Sequence, residues 1–137
     1  MRANTLLLCR GLPGSGKTTL AHTLAPGHAH AADDYFERDG GYHFDPNQLG
    51  EAHAQCQQRT EADMAAGVPV VAVHNTFTMA WEAEPYYAMA ARHGYTVFVV
   101  EAQNDFGNVH NVPEAAVQRM RDRWERSLAP QGGQENS

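Results

Sequence analysis

A six-residue apolar run, Asn4 to Cys9 (NTLLLC), leads through Arg10 into Gly11-Leu12-Pro13-Gly14-Ser15-Gly16-Lys17-Thr18, and a helix-forming stretch (KTTLAHTLA) follows directly. That succession constrains the chain more than any other feature. The run is too short for a helix and is bounded by Gly and Pro, so it reads as a buried parallel strand. Pro26-Gly27 then closes a helix that starts at Lys17. Between them, Gly-x4-Gly-Lys-Thr is a phosphate-loop pattern in the strand-to-helix context that the pattern requires.

The remainder repeats the alternation. A weak strand is expected at His28 to Ala32, then Asp33-Asp34-Tyr35, and a loop or small hairpin around Asp39-Gly40-Gly41. Pro46 suits the first turn of a helix ending at Gly67, with Leu49, Ala52, Cys56 and Met64 at helical spacing. Val68 to Val73 (VPVVAV) is a continuous apolar run, the mark of a strand buried on both faces. Trp81 to His93 reads as a helix, Tyr95 to Val100 as a strand, and Val112 to Leu128 as the last helix. Strands alternating with helices predict an α/β fold, three layers with an open parallel sheet of four to five strands and right-handed crossovers. The expected domain is 1–128, followed by a polar, Gly-rich, disordered tail, 129–137.

Composition excludes several classes. With 137 residues, 42% of them hydrophobic, the chain can bury a core without a metal or disulfide staple. Cys9 and Cys56 are too few for a disulfide scaffold and read as buried, reduced thiols. Ten Lys+Arg against 16 Asp+Glu, net charge −6, argue against coating nucleic acid or an anionic membrane. No run is long enough to cross a bilayer, so a cytoplasmic protein with no membrane partner is expected. Nine of the ten basic residues are Arg, and the one lysine is Lys17, inside the loop.

The loop chemistry follows from residue types. Glycines allow backbone N–H groups to turn inward on phosphate oxygens, and the following helix presents its positive end. Residues Gly11, Leu12, Pro13, Gly14, Ser15, Gly16, Lys17, Thr18 and Thr19 would therefore hold ATP or GTP. Lys17 would bridge the β- and γ-phosphates and Thr18 would ligate Mg²⁺. Asp33 and Asp34 lie one βα unit later, where a carboxylate can take the proton of an acceptor hydroxyl; Asp33 is also a second candidate for the metal. His74 ends the strongest strand, where many such folds place an aspartate toward the metal. Gly107 to Pro113 has the position of a lid, and Arg119, Arg123 and Arg126 share a helical face behind it, with Arg119 best placed for transition-state charge. The other histidines show no metal-ligand spacing.

Taken together, residues 10–19, Asp33 to Phe36, Tyr42 to Asp45, Glu51 to His53, Asn75-Thr76, Trp81 to Tyr86 and His110 to Met120 resemble the small P-loop kinases. That family includes the kinase domain of phage polynucleotide kinase, related ATP-binding domains of animal proteins, and phage kinases acting on hydroxymethyluracil in DNA. The resemblance implies ATP and Mg²⁺ as cofactors, Lys17 and Thr18 at the phosphate and metal positions, Asp33 as general base, and DNA or a nucleotide as acceptor. His74 stands where the family usually has Asp, Phe36 where polynucleotide kinases carry Arg, and Gly107 where many relatives carry a lid Arg. The loss of positive charge tilts the expected acceptor from a 5′-hydroxyl end toward a hydroxymethylated base, with Tyr35, Phe36, Tyr42 and Phe44 as a stacking surface. An ATP-binding module with little chemistry, and a nucleoside or other small-molecule kinase, remain the alternatives.

Overall fold

A computed structural model describes residues 4–38, 40–103, 112–126 and 128–129. Strand β1 (Asn4–Arg10) and helix α1 (Lys17–Leu24) flank the glycine loop. Strand β2 (Ala29–His30) and a 3-10 turn (Ala32–Phe36) come next, then a small antiparallel hairpin, β3 (Glu37–Arg38) and β4 (Gly41–Tyr42). Helix α2 (Leu49–Ala65), strand β5 (Val70–Asn75), helix α3 (Glu84–His93), strand β6 (Tyr95–Glu101) and helix α4 (Glu114–Asp122) complete the order.

The main sheet is parallel throughout, in the order β2-β5-β1-β6. β1 is thus central, with β5 on one side and β6 on the other, and its carboxyl end opens at the point where crossovers leave in both directions. Ligands of open α/β sheets bind at that end. Alternate residues of β1 serve two cores, as strand geometry requires. Leu6 and Leu8 pack with Cys56, Met64, Tyr86 and Met89 of α2 and α3, whereas Leu7 and Cys9 pack with Ala21 and Ala25 beside α1. The alanines let α1 lie close to the sheet, so the loop is held tightly between β1 and α1. The result is the three-layer α/β architecture expected from the alternation.

Three local readings change, at β2, at the start of α3 and at the end of α4. The strand expected at His28 to Ala32 is only Ala29–His30, because Ala32–Phe36 coils into a 3-10 turn capped by Asp34. The expected helix at Trp81 begins with a 3-10 turn (Ala80–Glu82), and α3 starts at Glu84. β6 lies at the edge of the sheet and exposes Phe98 and Val99. The last helix ends at Asp122 instead of Leu128, since the segment after it leaves helical geometry to seat Trp124 against Arg10. Arg123 and Arg126 therefore do not continue a helical face with Arg119. Most of the expected lid, residues 107–111, and most of the expected tail, residues 130–137, lie outside the described residues.

Candidate phosphate-loop site

The loop is built by close approach. Gly16 caps α1 at φ 94°, a left-handed conformation that glycine adopts without a side-chain clash. Gly11 is required for a different reason: a Cβ there would stand 2.1 Å from Ser15 Oγ and 3.1 Å from the Ala102 carbonyl oxygen. Ser15 N–H donates to the Leu12 carbonyl at 3.0 Å, closing the turn. Lys17 folds back over it, donating from Nζ to the same carbonyl at 3.5 Å. Burial lowers the ammonium pKa from its ordinary value, and the nearby Asp33 charge opposes that shift. Thr18 and Thr19 lie exposed in the first turn of α1.

β5 brings His74 to this turn. In the parallel register His74 is opposite Cys9, and its Nδ1 lies 3.3 Å from Thr18 Oγ1. The His22 ring, one helical turn beyond Thr18, meets the His74 ring edgewise with centroids 5.1 Å apart. Burial first, then the neighbouring His22, Lys17 and His30, push the His74 pKa down to about 4. The imidazole is therefore neutral at neutral pH. Its Nε2 and the Ser15 hydroxyl are buried without hydrogen-bond partners among the described residues. Ser15 is an orphaned polar group inside a cradle that excludes even a methyl at Gly11. This fits an anionic phosphate, with Lys17, the loop amides and the α1 terminus as donors. Thr18 and Asp33 supply the hard oxygen donors suited to Mg²⁺.

The facing side is assembled around the 3-10 turn. Asp34 spends its carboxylate locally, accepting the Ala31 N–H at 3.0 Å. Asn75 Oδ1, from the end of β5, accepts the Ala32 N–H at 2.9 Å and ties the turn to the sheet. Asp33 is exposed, and Tyr42 donates its hydroxyl to Asp33 Oδ1 at 2.9 Å. Both burial and the Asp33 charge raise the Tyr42 pKa, so the phenol stays a donor. Phe36 is fully buried and supports Tyr42 and Phe44, whose ring planes are within 6° of parallel. Phe44 is half exposed. Tyr35 donates to Glu51 at 2.9 Å.

Arg10 was legible only as part of the motif, yet it is wholly buried and organises the rim. Its Nη2 donates to the Phe77 carbonyl at 2.7 Å and its Nη1 to the Arg126 carbonyl at 3.3 Å, and its guanidinium lies 3.9 Å from the Trp124 ring centre. Phe77 holds φ 50°, left-handed for a bulky residue, where Arg10 grips its carbonyl. Arg123 adds a bond from Nε to Thr78 Oγ1 at 3.2 Å. Arg119 stands exposed on α4; Arg123 is the arginine of this segment that meets the loop after β5. A cleft of about 320 Å³ lies beside Arg10, Tyr87, Val99, Glu101 and Leu128, but Gly11–Thr18 do not line it, so the chemistry of the loop and not this cleft marks the site. The signal for Arg10 was a single charge closing an otherwise apolar strand; Tyr42 on Asp33 and Asn75 on Ala32 had no comparable local signal.

Residues 6–105 match the AAA domain family AAA_33. The chain belongs to that family. It is 36% identical to human NEDD4-binding protein 2 over 90% of its own length, and it spans 8% of that much longer protein. Among solved structures it resembles a proposed kinase from Chloroflexus aurantiacus, with TM-score 0.58, 18% identity, and coverage of 74% of this chain and 60% of that one. It also resembles the APS kinase CysC of Mycobacterium tuberculosis, with TM-score 0.52, 14% identity, and coverage of 90% and 98%. A sugar kinase from Janibacter is similar at TM-score 0.50 and 15% identity, covering 93% of this chain and 72% of that one. At these identities the structures establish a shared kinase-like P-loop fold. No helix among the described residues is long and apolar enough to cross a membrane.

Proposed function

We propose that this chain is an ATP-dependent kinase that transfers the γ-phosphoryl group to a hydroxyl on DNA or a nucleotide. The observation that carries the reading is the pairing of a Lys17 phosphate loop with an exposed, oriented carboxylate, Asp33, at the carboxyl edge of the same sheet. Lys17 and the loop amides hold the donor phosphates, and Thr18 offers its hydroxyl to the metal. Magnesium, when bound, neutralises charge on the phosphoryl oxygens. Asp33 takes the acceptor hydroxyl's proton as that oxygen bonds to the γ-phosphorus; the bridging P–O bond breaks and ADP leaves. Tyr42 keeps the Asp33 carboxylate aimed, and Arg119 acts from the lid side.

Acceptor choice follows from the aromatic side. Phe36 sits where polynucleotide kinases carry Arg, and it is buried beneath Tyr42 and Phe44. A stacking surface replaces a phosphate-binding charge, which favours an unstacked base bearing a hydroxymethyl group, as in the phage hydroxymethyluracil kinases, over a 5′-hydroxyl end. His74, uncharged in place of a carboxylate, favours a second reading in which the chain binds ATP with little turnover. The test is transfer of labelled phosphate from Mg·ATP to a 5′-hydroxyl oligonucleotide, to duplex DNA containing hydroxymethyluracil, and to mixed nucleosides. Label on the hydroxymethyluracil DNA, absent in Lys17→Ala, is expected. Label on nucleosides alone, or ATP binding with no transfer, overturns the DNA kinase reading.

A further inference from the structure

We infer that His74 is a positioning residue for Thr18: its Nδ1 accepts the proton of the Thr18 hydroxyl and so turns a lone pair of Oγ1 toward the divalent cation of a bound nucleotide. The inference rests on the nucleotide-site reading above. A threonine hydroxyl has one proton and two lone pairs, and it can ligate a cation only if that proton points elsewhere. In an isolated helix the competing partner is a carbonyl one turn back. Here the 3.3 Å neighbour is an imidazole nitrogen supplied by β5, a strand that the sheet register fixes opposite Cys9.

Two further observations bear on the arrangement. With Nδ1 accepting, the proton sits on Nε2, which is buried without a partner among the described residues, so the bond to Thr18 comes at the cost of an unmet donor and the Nε2–H form is its direct signature. The ring itself is also clamped. Thr18 and His22 are spaced i, i+4 on α1, so both contact His74 from one helix face, the first by hydrogen bond and the second edge to ring. An aspartate at this position would orient the same hydroxyl and add a negative charge toward the cation. His74 keeps the orienting role and omits the charge, so the negative charge toward the cation is left to Asp33 and the nucleotide's own phosphates.

The experiment titrates wild-type protein with the non-hydrolysable analogue AMP-PNP by calorimetry, with Mg²⁺ and with EDTA, alongside His74→Ala, His74→Asn and His74→Asp. The Mg²⁺-dependent gain in affinity should fall about tenfold in His74→Ala while affinity in EDTA stays level. His74→Asn, whose amide oxygen accepts the same proton, should restore the gain, and His74→Asp should raise it above wild type. The ring's ¹⁵N resonances should show the Nε2–H form. Equal losses with and without Mg²⁺, an undiminished gain in His74→Ala and His74→Asn alike, or an Nδ1–H tautomer would overturn the inference. If His74→Ala does not fold, His74→Asn, His74→Asp and the tautomer decide it. Absence of AMP-PNP binding in the wild type would instead defeat the nucleotide-site reading.

Discussion

The two sides of the candidate site are made in different ways. The loop side is continuous in sequence and anchored by the central strand: Gly11 to Thr18 close on themselves between β1 and α1, with Lys17 bonded to a loop carbonyl. The facing side is a mosaic. Asp33 takes its orientation from Tyr42 across a two-strand hairpin, the 3-10 turn hangs from Asn75 of another strand, and its large buried side chain is Phe36. A site of this kind holds the common chemistry, phosphate binding, on a rigid scaffold and leaves acceptor recognition to short exposed elements that can vary.

Breaking the loop side should have the largest effect. Lys17→Ala removes the cation aimed at the donor phosphates, and transfer is expected to fall by about 10²–10³, read as initial rates at saturating acceptor. On the facing side the effect is smaller and of another kind. Phe44→Ala removes the exposed stacking ring above Phe36, which at about 1–3 kcal/mol per stacked base should raise the KM for DNA roughly tenfold with kcat and AMP-PNP affinity level. An equal loss in nucleotide affinity would show that the two sides are not separable.

Arg10 grips the loop after β5 and the segment after α4, apart from both sides, and tests stability alone. Arg10→Leu leaves the Phe77 and Arg126 carbonyls without their donor and strips the cation from Trp124, costing about 2–3 kcal/mol in denaturant titration. The smallest effect concerns the thiols. Burial raises Cys9 to about 11 and raises Cys56 as well, so thiolate is scarce at pH 8 and iodoacetamide should label neither until the protein is unfolded; thiolate becomes appreciable only as pH climbs toward those raised values.

The same contrast explains what was legible in the sequence. The parallel three-layer fold and the placement of the loop followed from local patterns: NTLLLC, the glycine spacing and VPVVAV each carry their own signal within a few residues. The facing side joins partners that sequence proximity does not reveal, such as Ala32 with Asn75 and Arg10 with Trp124. α4 is short for the same reason: Val112 to Leu128 has helical composition, but the ring of Trp124 over Arg10 and the Glu125 N–H on the Thr78 carbonyl outweigh helix propensity after Asp122. β6 has the composition of a buried strand, yet its exposure is set by its place at the sheet edge, which no local pattern encodes.

The central claim is that Asp33 performs chemistry on an acceptor held apart from the nucleotide loop. Asp33→Asn keeps shape and the Tyr42 contact but removes the base, so single-turnover transfer and AMP-PNP affinity measured on the same preparation test it directly. The account predicts transfer reduced by about 10²–10⁴ with nucleotide affinity unchanged. Transfer at the wild-type rate in Asp33→Asn would contradict it.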